Sequence, residues 1–167
     1  MTDARVYVGT YAKYNAGSIA GAWIDLDGLD KDSFYEACKA LHKTEHDPEL
    51  MFQDYEGFPA EYYGESGMAD GLWDWLEMDE TEQELLARYI DATGNNDASL
   101  SDAQDTYCGT YDSGAEYAEQ TANDIGDVPD SFPTWIVIDW AASWNCNLRH
   151  GYSTSRGNDG LFIFNNN

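Results

Sequence analysis

The chain has 167 residues, 32 acids against eight bases, and a net charge of −24. A surface of that sign repels phosphate, which excludes direct binding to nucleic acid or anionic membranes and favours a basic partner. With six Trp, 12 Tyr, six Phe and 43% hydrophobic residues it is not a disordered acidic tail, which would be poor in aromatics.

In chain order, Arg5–Gly9 and Ile19–Ile24 read as two strands joined by a loop around Asn15–Gly17. Ser33 and Glu36 have capping-box spacing, which predicts a helix starting near Ser33, with Phe34, Cys38 and Leu41 on one face. Leu50–Asp54 predicts a short strand ahead of the turn-rich Glu56–Pro59. Two helices with acidic outer faces follow. The first, about Met68–Met78, has Met68, Leu72, Trp75 and Leu76 as its apolar stripe, with Asp70, Asp74 and Glu77 opposite. The second begins at Thr81, where Glu84 completes another capping box, and buries Leu85, Leu86, Tyr89 and Ile90 before Gly94 ends it. A short helix is expected over 100–105. Thr106–Tyr111 reads as a strand, and Ser113 with Glu116 caps a helix to about Ile125 that Gly126 terminates. Pro133 is placed at the first position of a helix running through Trp144. Tyr152–Ser155 and Leu161–Phe164 alternate around Arg156–Gly160, a hairpin signal.

The expected fold is α+β in three small domains. An N-terminal antiparallel sheet plus helix occupies 1–61, an acidic helical domain 62–104, and a C-terminal β/α domain 105–167. The start, MTDARVYVGTY, has neither a basic n-region nor an apolar h-region, and no stretch approaches the roughly 18 apolar residues of a membrane span. Cys38, Cys108 and Cys146 are odd in number and far apart, which argues against a disulfide framework. A reduced, cytoplasmic protein is expected.

The charge is unevenly placed. Up to residue 43, five bases nearly balance six acids, and from Arg149 onward two bases exceed one acid. Residues 44–148 hold 25 acids and a single base, Arg88, and so carry the whole net charge. Adaptation to high salt would act on the entire surface and leave no neutral N-terminal quarter. On the helices the acids recur three or four residues apart, where like-charged pairs cost about 0.2–0.5 kcal/mol each. Stability alone would alternate Lys with Glu. Two such chains would carry twice −24, about the charge on 80 Å of duplex DNA at one charge per roughly 1.7 Å. The pattern is that of a protein that imitates the charge of DNA and fills the DNA-binding groove of another protein. Asp70, Asp74, Glu77, Glu80, Glu82, Glu84, Asp112, Glu116 and Glu119 are the candidate mimic residues.

Motifs for chemistry are weak by comparison. His42 and His46 are four apart, but no H-E-x-x-H pattern or third ligand accompanies them, and a solvated pair is expected. Asp25-Leu-Asp27-Gly-Leu-Asp30 resembles a calcium loop, with Asp30 where the sixth-position glycine belongs. An acidic, calcium-responsive binding module is the alternative this leaves open. Cys38 falls on an apolar stripe as a core thiol. P-loop, nucleophile-elbow and dinucleotide motifs are missing, so neither catalysis nor a cofactor is expected. Trp140 and Trp144 stand i,i+4, which reads as a core or subunit-interface stripe.

Arg5–Gly17, followed by Gly21-Ala-Trp23-Ile-Asp-Leu26, resembles the opening signature of the ArdA antirestriction proteins. Phe52-Gln-Asp54-Tyr55-Glu56-Gly-Phe58 is similar to that family's H/Q-D-Y-E segment, and Ile138-Asp139-Trp140-Ala-Ala142 to its I-D-Y-E-A segment. The resemblance covers nearly the whole chain. It implies an elongated three-domain protein that mimics bent B-form DNA and is dimeric through its C-terminal domain, with Asp139, Trp140 and Trp144 as interface candidates. It implies as partner the DNA-recognition and methyltransferase core of type I restriction–modification enzymes. The chain departs from the family pattern at Ala141 and at Asn145-Cys146-Asn147.

Overall fold

A computed structural model describes residues 3–166; Met1, Thr2 and Asn167 lie outside the described residues. Among the described residues the chain is mixed α+β, with seven α-helices and two antiparallel three-stranded sheets. Its packing divides it into two compact units, Met1–Asp79 and Glu80–Asn167. The two helices expected in an acidic middle domain therefore belong to different units.

In the first unit, β1 (Arg5–Thr10) lies between β2 (Ala22–Asp25) and β3 (Leu50–Glu56). Strand alternation sends Val6 and Val8 into the core, both fully buried. Beside them in that core lies Phe34 of α2 (Lys31–Leu41), also fully buried, which stacks on Phe52 of β3 with ring centroids 5.8 Å apart. The helix starts earlier than Ser33 and Glu36 predict. Asp30 is the N-cap, accepting from the Ser33 amide at 2.8 Å while Ser33 Oγ accepts from the Asp30 amide at 3.0 Å. An aspartate two residues ahead of a further acid wins because its carboxylate is the stronger acceptor and sits at the positive end of the helix. Ser33's hydroxyl and backbone hold the Asp30 carboxyl below its usual range. Leu41, expected on the buried face, is 43% exposed.

The loop expected around Asn15–Gly17 is preceded by a short helix, α1 (Tyr11–Asn15), capped by Thr10 Oγ1 accepting from the Lys13 amide. The second strand is shorter than expected, starting at Ala22. His42 is not part of a solvated pair. It is buried, its Nε2–H donating to the Val8 carbonyl at 3.2 Å and its Nδ1 accepting from Lys13 Nζ at 2.6 Å. The sequence periodicity hid this because His42 is the residue that closes α2, where a side chain turns back over the sheet. Last in the unit is α3 (Gly71–Glu77), which buries Leu72 and Trp75 and sets Trp73 against Phe34 at 5.4 Å.

In the second unit, β6 (Leu161–Asn165) lies between β4 (Tyr107–Tyr111) and β5 (Tyr152–Arg156), the last two strands forming the expected hairpin. Phe162, Ile163 and Phe164 are all buried, so both faces of this strand are covered. On one side Phe164 meets Tyr89 of α4 (Glu80–Thr93) at 5.2 Å. On the other, Ile163 packs with Tyr117 and Ala118 of α6 (Gly114–Asp124) and Trp144 of α7 (Trp140–Cys146). Between α4 and β4 runs α5 (Leu100–Thr106), with Ser99 and Asp102 forming its capping box. Gly94 ends α4 with φ +73°, a conformation open to glycine, its amide bonded to the Ile90 carbonyl at 2.7 Å.

Two helix starts differ from expectation. α4 begins at Glu80, so Thr81 lies inside the helix and Glu84 pairs with Arg88 rather than closing a capping box. The helix expected from Pro133 begins at Trp140, with Asp139 as N-cap accepting from the Ala142 amide at 2.9 Å. The run Ile136-Val137-Ile138 is β-branched and loses side-chain freedom in a helix, whereas Asp139 offers a ready cap.

Cys38 is fully buried, and loss of solvation pushes its thiol up to about 12. Cys146 is exposed. Iodoacetamide at about pH 8 is therefore expected to alkylate Cys146 in the folded protein and spare Cys38 until denaturant is added. Mass spectrometry of the digest reads this out, and equal labelling of both would show that α2 does not seal the core. Among the described residues, no helix is long and apolar enough to cross a membrane.

Candidate functional site

The net charge is divided evenly between the two units. The first holds 17 acids and five bases, the second 15 acids and three bases, a net of −12 in each. Much of the small basic complement is used inside each unit. Arg5 pairs with Glu56 at 2.6 Å and lies over the Trp23 ring at 4.6 Å. Lys31 pairs with Asp70 at 2.6 Å. In the second unit Arg88 meets Glu84 at 3.5 Å and donates to the Arg156 carbonyl, while Arg156 donates to the Asp112 carbonyl.

Several carboxylates likewise have local duties. Asp30 and Asp139 cap helices, and Asp102 completes the box with Ser99, whose backbone and hydroxyl hold its carboxyl low. Glu45 accepts from Thr10 Oγ1 and Asp91 from Ser155 Oγ. These anions serve the fold.

The candidate residues sort differently. Asp70, Asp74, Glu77, Glu80, Glu84, Asp112, Glu116 and Glu119 are exposed, and Glu82 is half-buried. Asp70 and Glu84 share their charge with Lys31 and Arg88. Glu116 accepts from the Asp112 amide at 2.6 Å. Among the described residues, no ion pair or hydrogen bond engages the carboxylates of Asp74, Glu77, Glu80 or Glu119. Asp74 and Glu77 come from α3, Glu80 from the first turn of α4 and Glu119 from the open face of α6. The amphipathic pattern puts them there, because the opposite faces are held by Leu72 and Trp75, Leu86 and Ile90, and Tyr117 and Ala118. The Lys31–Asp70 pair was invisible to spacing, its partners being 39 residues apart. The Glu84–Arg88 pair had a signal in its i,i+4 spacing.

Of the residues expected at a subunit interface, Trp144 is buried in the unit's own core, in edge contact with Tyr117 at 5.8 Å. Trp140 is half-buried against that core, and Asp139 is the α7 cap. Just ahead of them, Trp135 is 82% and Val137 91% exposed.

What the two units present outward is a large excess of negative charge on small packed scaffolds, a net of −12 on each. The family model described as antirestriction protein (ArdA) matches residues 6–160, and the chain belongs to that family. Membership gives it an antirestriction role, as an inhibitor with a restriction–modification enzyme as its general partner. No curated protein matches the chain.

Proposed function

We propose that this protein is a DNA mimic that occupies the DNA-binding groove in the recognition and methyltransferase core of a type I restriction–modification enzyme. It inhibits stoichiometrically and protects incoming mobile DNA in the cytoplasm. The observation that carries this reading is the anionic surface of both units, a net of −12 each, with three of the eight bases held in ion pairs inside their own unit. A basic groove is attracted to such a surface at long range, and the carboxylates replace phosphates at contact. The three-segment layout, with 44–148 as the mimic surface, is part of the same proposal.

The test is a gel-shift titration of a type I methyltransferase core bound to labelled duplex DNA. The protein is expected to displace the DNA at near-equimolar ratio in low salt, and failure to displace it sinks the reading. Because the field is shared, the single changes Asp74→Asn and Glu119→Gln are expected to leave the titration within about twofold of the parent. A single amide that abolished displacement in a folded protein would instead reveal a discrete site.

The proposal includes a homodimer formed through the second unit. The exposed Trp135 and Val137 would supply its apolar centre, with Asp139, Trp140 and Trp144 following them along the chain. Sedimentation equilibrium is expected to give a dimer for the parent and a monomer for the Trp135→Ser, Val137→Ser double variant. A monomeric parent overturns this part alone.

A further inference from the structure

The second unit contains a cleft of about 390 Å³ between the start of α4, β4 and the β5–β6 turn. Leu85, Tyr107 and Phe162 form its apolar floor, and Glu80, Glu84 and Asp159 stand at its rim. We propose that this cleft is a socket for one arginine side chain of the partner enzyme, an anchor distinct from the diffuse charge. The proposal rests on the DNA-mimic reading for its partner.

Phosphate imitation requires carboxylates in water and has no use for an open apolar floor, which costs free energy in solvent. Tyr107 is held in place by a 2.6 Å hydrogen bond between its hydroxyl and that of Thr110, and by Phe162 and Phe164, whose ring centroids are 6.0 and 5.8 Å away. Even so, it remains 38% exposed. The rim is short of cations: Glu84 meets Arg88 at 3.5 Å, and among the described residues no base reaches Glu80 or Asp159. The fitting ligand has an aliphatic stem and a cationic head. A compact ammonium would leave the ring face bare, whereas a planar guanidinium stacks on an aromatic ring and engages carboxylates through its fork of donors. A basic DNA-binding groove supplies that side chain.

The cleft is tested first without the enzyme. Titrating ¹⁵N-labelled protein with N-acetyl-arginine amide at fixed ionic strength is expected to give saturable shifts centred on Leu85, Tyr107 and Phe162. They should persist in Tyr107→Phe, which keeps the ring, and disappear in Thr81→Lys, where an exposed residue lining the cleft places an ammonium in it. Shifts spread over all acidic helices, as sodium chloride alone would give, overturn the socket. Against the methyltransferase core, Thr81→Lys should weaken binding at least about tenfold, and the charge-matched Gln104→Lys on α5 about twofold. Equal losses in both variants, with the parent still bound, refute the socket while sparing the mimic. A parent that fails to bind the core refutes the mimic reading, and with it the partner assigned to the socket, even where the amide titration saturates.

Discussion

Raising salt from about 50 to 200 mM is expected to weaken binding to the methyltransferase core by about 10²–10³-fold. Duplex DNA with six to ten phosphate contacts loses about 10³–10⁵ over the same range, because each contact frees condensed counterions. The mimic should lose less. Its acids are about 5–6 Å apart along a helix face, against one charge per roughly 1.7 Å of duplex, so fewer counterions are condensed on it to be released. What remains is screening of many carboxylate–guanidinium and carboxylate–ammonium pairs across a Debye length that shrinks with salt. Fluorescence anisotropy at four salt concentrations gives the slope. An affinity that does not move with salt would mean that apolar contact, not charge, carries recognition. Converting Asp74, Glu77, Glu80 and Glu119 together to amides should flatten the slope as well as weaken binding, which no single change is expected to do.

The second large effect concerns the fold. Gly114→Ala is expected to destabilise the second unit by about 3 kcal/mol, at the upper end of overpacking costs. A Cβ built on Gly114 would lie 2.1 Å from Nε1 and 2.2 Å from Cε2 of Trp144. Real contacts are never so short, and the indole has little room to yield: it is buried against Tyr117 and tilted over Tyr152 at 5.8 Å. For a unit of this size, 3 kcal/mol corresponds to a fall in Tm of about 12–24 °C. Trp144→Ala alone should cost about 3–5 kcal/mol through the cavity it leaves. The double variant should cost less than the sum, since removing the indole removes the clash. Thermal unfolding followed by circular dichroism decides it. Near-parental melting of Gly114→Ala would mean that α6 and α7 do not pack as described.

Local signals in the sequence were enough to find most elements. The β5–β6 hairpin follows from alternation about a glycine-rich turn, and α6 from Ser113 ahead of an amphipathic run. α1 was missed because its five residues bury nothing and are held by one threonine cap, which leaves no periodicity to read. The start of α7 was missed because Pro133 is a permissive signal that a β-branched run overrides. The placement of α3 and α4 in different units depends on which core each apolar stripe meets, as when Trp73 finds Phe34, and spacing carries no such information. At the candidate site the exposure of Asp74, Glu77, Glu80 and Glu119 was legible, since a helix with one buried face must turn the other outward. The neutralisation of Asp70 by Lys31 and the cleft beside Tyr107 join distant parts of the chain and were not.

The equal split of −12 between two separately packed units has a kinetic consequence for an inhibitor acting as proposed here. It makes a single chain bivalent. Once one unit is docked, the other competes for its half of the groove at the high local concentration set by the continuous chain, not at the concentration of free inhibitor. Each attachment can then be weak and quickly exchanging while the pair together dwells long, since release requires both to let go at once. A 167-residue chain acting in this way outlasts a DNA substrate even where each unit alone is held weakly.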